Sequence, residues 1–179
     1  GDHTMFAGRG ALVKLDGAPD SVFRDNAFMV LYLGEAGANR AGNSRASFWP
    51  ALEAALRDAR EYPGRYRSGQ GGVVLNEIDA QAVQPYALGR GLIVANVESA
   101  TDIRALLRFK RRHPELRFII NGGSEAWMVA RELAAANIPV MVDPMSNLPN
   151  NIEQLGARLD NAALLDRAGV DVIIAAGSD

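Results

Sequence analysis

Four apolar runs in this chain each end on side chains that could do chemistry. "GLIVANV" delivers Asn96 and then Glu98. "LRFIIN" delivers Asn121, followed by Gly122, Gly123 and Glu125, while "IPVMVDP" delivers Asp143 and "DVIIAAGSD" delivers Ser178 and Asp179. A converging set of carboxylates and carboxamides suits a hard cation, a polarised carbonyl or a polar ligand. Loops at strand ends are wet, so polar residues also gather there without any function. The pair Gly122-Gly123 sits at the sharpest of these corners. It lacks the third glycine of G-x-G-x-x-G and the lysine of G-x-x-x-x-G-K-[ST]. It therefore reads first as a tight strand-to-helix turn, with Ser124 as the cap of the helix that follows. A Rossmann-like nucleotide-binding domain using those amides is the weakest reading.

The totals narrow the chemistry. With no cysteine, thiol catalysis, disulfides and zinc ribbons are excluded, and only two histidines, His3 and His113, are present. His3 lies in "GDHTM", which differs from the rest and reads as a remnant added for expression. His113 follows the basic stretch Arg111-Arg112 at a helix end, where it favours the helix dipole and is expected to reach water. Lys14 and Lys110 are the two lysines, the first in an early strand and the second a solvated group on a basic helix face. A net charge of −2 gives no reason to expect nucleic acid or an anionic membrane as partner. No apolar run is long enough to span a bilayer, and no secretory leader opens the sequence. The compartment, bacterial cytoplasm or periplasm, stays open.

Elements must position those residues. The 179 residues, 48% hydrophobic and 22% charged, suit a single α/β domain with a sizeable core. "GALVKLDG" and "AFMVLYLG" (27–34) read as strands, and "EAGANRAGNSRAS" as a Gly/Asn-rich loop. In "ASFWPALEAALRDAREYPG", Ser47 is the expected N-cap and Pro50 the first turn. Leu52, Ala55, Leu56 and Ala59 share a face, and Pro63-Gly64 ends the helix. "EIDAQAVQPYALG" is weakly helical. From residue 91 onward strand and helix alternate strictly. Strands apolar on both faces and linked by helices predict parallel β/α units with right-handed crossovers. Either a doubly wound sheet or a partial TIM-barrel-like arrangement satisfies this, and in both the chemistry gathers at the carboxyl ends of the strands.

Taken in order, "ANVESATDIRALLRF", "FIINGGSEAWMVARELAAANIPVMVDPMSNLP" and "LDNAALLDRAGVDVIIAAGSD" resemble the amidohydrolase superfamily, in particular its imidazolonepropionase-related and prolidase-like branch. "FAGRGALVKLDG" resembles a strand-and-turn segment upstream in the same branch. The resemblance implies a metal-dependent hydrolase barrel in which one or two divalent ions, zinc or similar, activate water against an amide or cyclic-amide C–N bond. It implies that Asp179 matches the eighth-strand aspartate, both metal ligand and proton acceptor. It makes Asn96, Glu98, Asn121, Gly122, Gly123, Glu125, Asp143 and "SNLP" the substrate-facing residues, with Trp127 packing beneath. Where that family places its two later histidines, this chain has Asn96 and Asn121, and it holds no His-x-His pair. A full barrel takes about 250 residues, so the resemblance also implies an interior portion of a larger barrel, its open sheet edges covered by a second copy in a homodimer, by swapping, or by folding into an open sheet. The alternative is a metal-free, catalytically inactive barrel fragment that binds a ligand or serves as a structural module.

Overall fold

A computed structural model describes residues 5–14, 22–40, 44–67, 69–143 and 152–175. Among the described residues six strands lie in one sheet in the order β1-β2-β3-β4-β5-β6. The chain forms two compact units, residues 1–93 with 115–117, and residues 94–114 with 118–179. The architecture is α/β, as the alternation of apolar runs and amphipathic helices requires.

The first unit opens with a hairpin of β1 (Phe6–Val13) and β2 (Val22–Tyr32), paired antiparallel from Phe6↔Leu31 to Val13↔Val22. Both strands reach further than their apolar cores. Residues 22–26 of β2 are exposed, Val22 and Phe23 included, and main-chain pairing holds them in the ladder. Gly10 lies under the Phe28 ring, where any Cβ would collide with it.

Helix α1 (Gly34–Arg40) occupies part of the stretch expected to be a loop. Its glycine and asparagine content hides two alanines and an acidic first-turn residue, Glu35. Gly37 is needed where the turn passes against the Tyr32 carbonyl and the Phe48 ring. Helix α2 (Arg45–Glu61) is capped by Ser44, whose Oγ accepts from the Ala46 amide at 3.1 Å. The anticipated cap, Ser47, instead donates its hydroxyl to the Ser44 carbonyl at 2.8 Å, which leaves Pro50 inside the helix. Leu52, Ala55, Leu56 and Ala59 are buried together, as their spacing demands. Helix α3 (Glu77–Ala87) starts at Asn76, whose Oδ1 accepts from the Asp79 amide at 2.8 Å.

From residue 92 onward the chain is built from strand-helix repeats, nearly all of them in the second unit. They run β3 (Leu92–Val97), α4 (Ala100–Arg112), β4 (Arg117–Gly122), a 3-10 turn (Ala126–Val129) leading into α5 (Ala130–Ala135), β5 (Val140–Val142), α6 (Asn161–Arg167) and β6 (Val172–Ile174). Ser99 caps α4 and exchanges hydrogen bonds with Asp102. Lys110, Arg111 and Arg112 close its last turn, complementing the dipole. His113 is the C-cap of α4, but it is only 8% exposed and packs on the Phe109 ring at 4.5 Å. Apolar packing outcompetes the water contact expected of it. Strands β4, β5 and β6 are parallel, in the register Asn121↔Met141 and Val142↔Ile174. Ile120 and Val140 at their centres are fully buried.

Candidate functional site at the strand ends

Parallel pairing carries the tails of three strands to one rim of the second unit. The Gly123 amide donates to the Val97 carbonyl at 2.7 Å, and the Glu125 amide to the Glu98 carbonyl at 3.1 Å. The ends of β3 and β4 are thereby stitched together. Across this seam the Asn121 Nδ2 donates to the Asn96 Oδ1 at 2.6 Å. Both carboxamides are half-buried. Among the described residues Asn96 Nδ2 and Asn121 Oδ1 have no further hydrogen-bond partner, so the pair presents one donor and one acceptor at the rim. Asp143 follows β5 directly and is also half-buried.

The two glutamates are engaged by the backbone that surrounds them. Glu98 Oε2 accepts from the Ser124 amide at 2.9 Å and from the Ser124 hydroxyl. Ser124 therefore serves Glu98 and does not cap the following helix, whose 3-10 start carries no side-chain cap. Gly122 and Gly123 have φ of +94° and +66°, the left-handed region that favours glycine. A Cβ on Gly122 would lie inside the Glu98 carboxylate, 2.8 Å from its Cδ. The glycine pair is a corner shaped to admit the glutamate. In this corner the Ser124 amide is already paired with a carboxylate, the kind of contact a phosphate would need.

Glu125 spans two loops. Its Oε2 accepts from the Ala100 amide at 2.9 Å, in the first turn of α4, where the helix dipole favours a negative charge. Its Oε1 accepts from the Gly156 amide at 3.1 Å. Trp127 donates its indole N–H to the Gly156 carbonyl at 2.8 Å, and Arg158 stacks 4.8 Å from its ring. Asn161, only 1% exposed, completes the frame: its Nδ2 donates to the Gly123 carbonyl at 3.0 Å and its Oδ1 accepts from the Trp127 amide at 3.2 Å. Nothing in the chain order marks Asn161 as a partner of the glycine corner, 38 residues earlier. Its one sequence signal is a polar residue opening an apolar helix.

Among the described residues the donor chemistry at this rim does not fit a resident zinc-type ion. Amide oxygens are weak ligands for it, and one of the two is occupied by its neighbour's N–H. The nearby glutamates hold main-chain amides. Among the described residues no three His, Asp or Glu side chains come together as a metal set. Ser178, Asp179 and "SNLP" (146–149) lie outside the described residues.

A search of protein-family models gives no match, and none of the curated proteins matches. Among solved structures, an amidohydrolase from Thermotoga maritima superposes with a TM-score of 0.79 over 97% of this chain, at 16% sequence identity. The fold is amidohydrolase-like. This chain spans 48% of that protein's length, so the likeness covers about half of the neighbour. Within the amidohydrolase-like fold, Asn96 and Asn121 stand at the carboxyl ends of adjacent strands. No helix among the described residues is long and apolar enough to cross a membrane.

Proposed function

We propose that this chain is the substrate-facing part of an amidohydrolase-like protein, and that its strand-end rim binds a small amide-type molecule by hydrogen bonding, without a metal ion of its own. The observation that carries this reading is the Asn121–Asn96 bond at 2.6 Å. By engaging one group of each carboxamide it leaves an acceptor, Asn121 Oδ1, and a donor, Asn96 Nδ2, for a ligand. A ligand amide offers the complementary N–H and C=O and closes two hydrogen bonds at once. Glu98, Gly122, Gly123 and Glu125 act here as the frame that holds the pair, and Asp143 flanks it from β5. Calorimetric titration with a panel of simple primary and cyclic amides tests the reading. Binding should weaken about tenfold in Asn121→Ala, the loss of roughly one such bond with its partner left unsatisfied. Amide binding that is the same in Asn96→Ala, Asn121→Ala and the parent chain would contradict it.

A second reading is favoured by the neighbour's being an amidohydrolase. In it the chain belongs to a hydrolase of C–N bonds in which Asp179 binds a divalent metal and accepts a proton from water. Stoichiometric metal lost on Asp179→Asn would support that reading over the first. On either reading, β6 exposes Ile174 at 62%, an apolar strand edge suited to pairing with a second copy of the chain.

A further inference from the structure

The first unit holds a cavity of about 340 Å³ that no part of the strand-end site uses. Its floor is made of residues too small to fill it. Ala51 and Ala55 sit one turn apart on α2, with Ala82 and Val83 facing from α3 and Met29 from β2. On β1, Gly8 has a φ of +120° and open space where a Cβ would stand. The strand wall therefore contributes no side chain at that point.

The outer wall is braced in place. Asp58, 2% exposed, accepts from the Val74 and Leu75 amides at 2.7 and 3.1 Å through one oxygen. Tyr66 donates its hydroxyl to the Leu75 carbonyl at 2.7 Å, and Arg57 Nη2 donates to the Gly72 carbonyl at 2.8 Å. Three side chains thus fix a short loop whose Val74 and Leu75 line the void. A pocket held by its own supports is preorganised, and an occupant does not have to order it.

Two charged side chains reach the cavity. Asp79 stands in the first turn of α3, with its carboxylate on the Asn76 Nδ2 at 2.7 Å. Helix dipole and amide together spend that charge. Arg9 is exposed and forms no ion pair among the described residues, so its guanidinium is the charge left for a ligand. We propose that this cavity is a binding site for an amphiphilic carboxylate, a short alkyl or aryl body among the alanines and Met29 with its anionic head on Arg9. The volume lies at the low end of small-molecule pockets, which favours a medium-length chain over a long lipid.

Titration calorimetry of the whole chain with hexanoate, octanoate and octanol tests this. Saturable one-to-one binding of octanoate is expected, about threefold to fourfold tighter per added methylene. Arg9→Gln should weaken octanoate about tenfold and leave octanol unchanged. Ala51→Leu should fill the floor and abolish both. Unsaturable octanoate binding, or binding indifferent to both substitutions, would overturn the proposal. If Ala51→Leu unfolds the chain, the exposed Arg9→Gln decides alone: equal octanoate affinity in it and the parent refutes the site.

Discussion

Gly122→Ala tests the glycine corner most sharply, because two separate costs are built into it. The residue has φ +94°, and an L-residue held in the left-handed region costs about 1–2 kcal/mol. The new methyl would also displace Glu98, whose Cδ is 2.8 Å from the position of a Cβ. Moving that carboxylate gives up its bonds from the Ser124 amide, at 2.9 Å, and hydroxyl. Bonds to a charged group contribute roughly 1.5–3 kcal/mol when well shielded. Because Glu98 is half-exposed, about 2 kcal/mol for the two together is the fairer figure after screening. The sum is about 3–4 kcal/mol, a shift of about 1–2 M in the urea midpoint for a typical slope. A double-mutant cycle separates the two costs. In a Glu98→Ala background the collision vanishes, and Gly122→Ala should cost only the backbone part, about 1–2 kcal/mol. Equilibrium urea unfolding followed by tryptophan fluorescence measures all four corners of the cycle. Equal costs in both backgrounds, within about 0.5 kcal/mol, would refute the claim that the glycine exists to admit Glu98.

Asp58→Ala should cost about 2–3 kcal/mol, because it strips the acceptor from the Val74 and Leu75 amides; hydrogen exchange should show those two amides losing protection first. Trp127→Phe removes the indole bond to the Gly156 carbonyl and should cost about 1 kcal/mol, with faster exchange at the Gly156 amide, read by the same two methods. Burial raises the Tyr86 hydroxyl above its usual 10.0, opposed by the positive charges of Arg9 and Arg24. The unfolded chain ionises this tyrosine first, so its contribution is whole below about pH 10 and is lost as pH climbs through the raised folded value. Tyr86→Phe forfeits the bond to the Asn26 carbonyl at 2.9 Å but should flatten the alkaline slope of the urea midpoint. An unchanged slope would contradict that.

From residue 91 onward the apolar runs and helical faces place nearly every element, because buried strands and amphipathic helices must write themselves as hydrophobic periods. The exposed reach of β2 and the short helix α1 escape that signal. The first is held by main-chain pairing (Val13↔Val22), the second by a glycine packed on a carbonyl. At the rim, strand ends legibly deliver Asn96, Asn121 and the glutamates. Their partners do not show in the sequence, since the Glu98–Ser124 and Glu125–Ala100 bonds join residues 26 and 25 apart. A glutamate that braces a loop and one that awaits a substrate look alike in a string of letters. His113 shows the same limit, as its position after two arginines suggested water while the Phe109 ring claims it.

On the reading proposed above, the carboxamide pair at the strand ends recognises its ligand without a metal. Zinc per chain, measured by elemental analysis after equilibration with zinc and gel filtration, tests it most directly. Far less than one ion per parent chain is expected, with retention rising toward one when Asn96 and Asn121 are both replaced by histidine. One zinc per parent chain, lost on Asn96→Ala with Asn121→Ala, would contradict it.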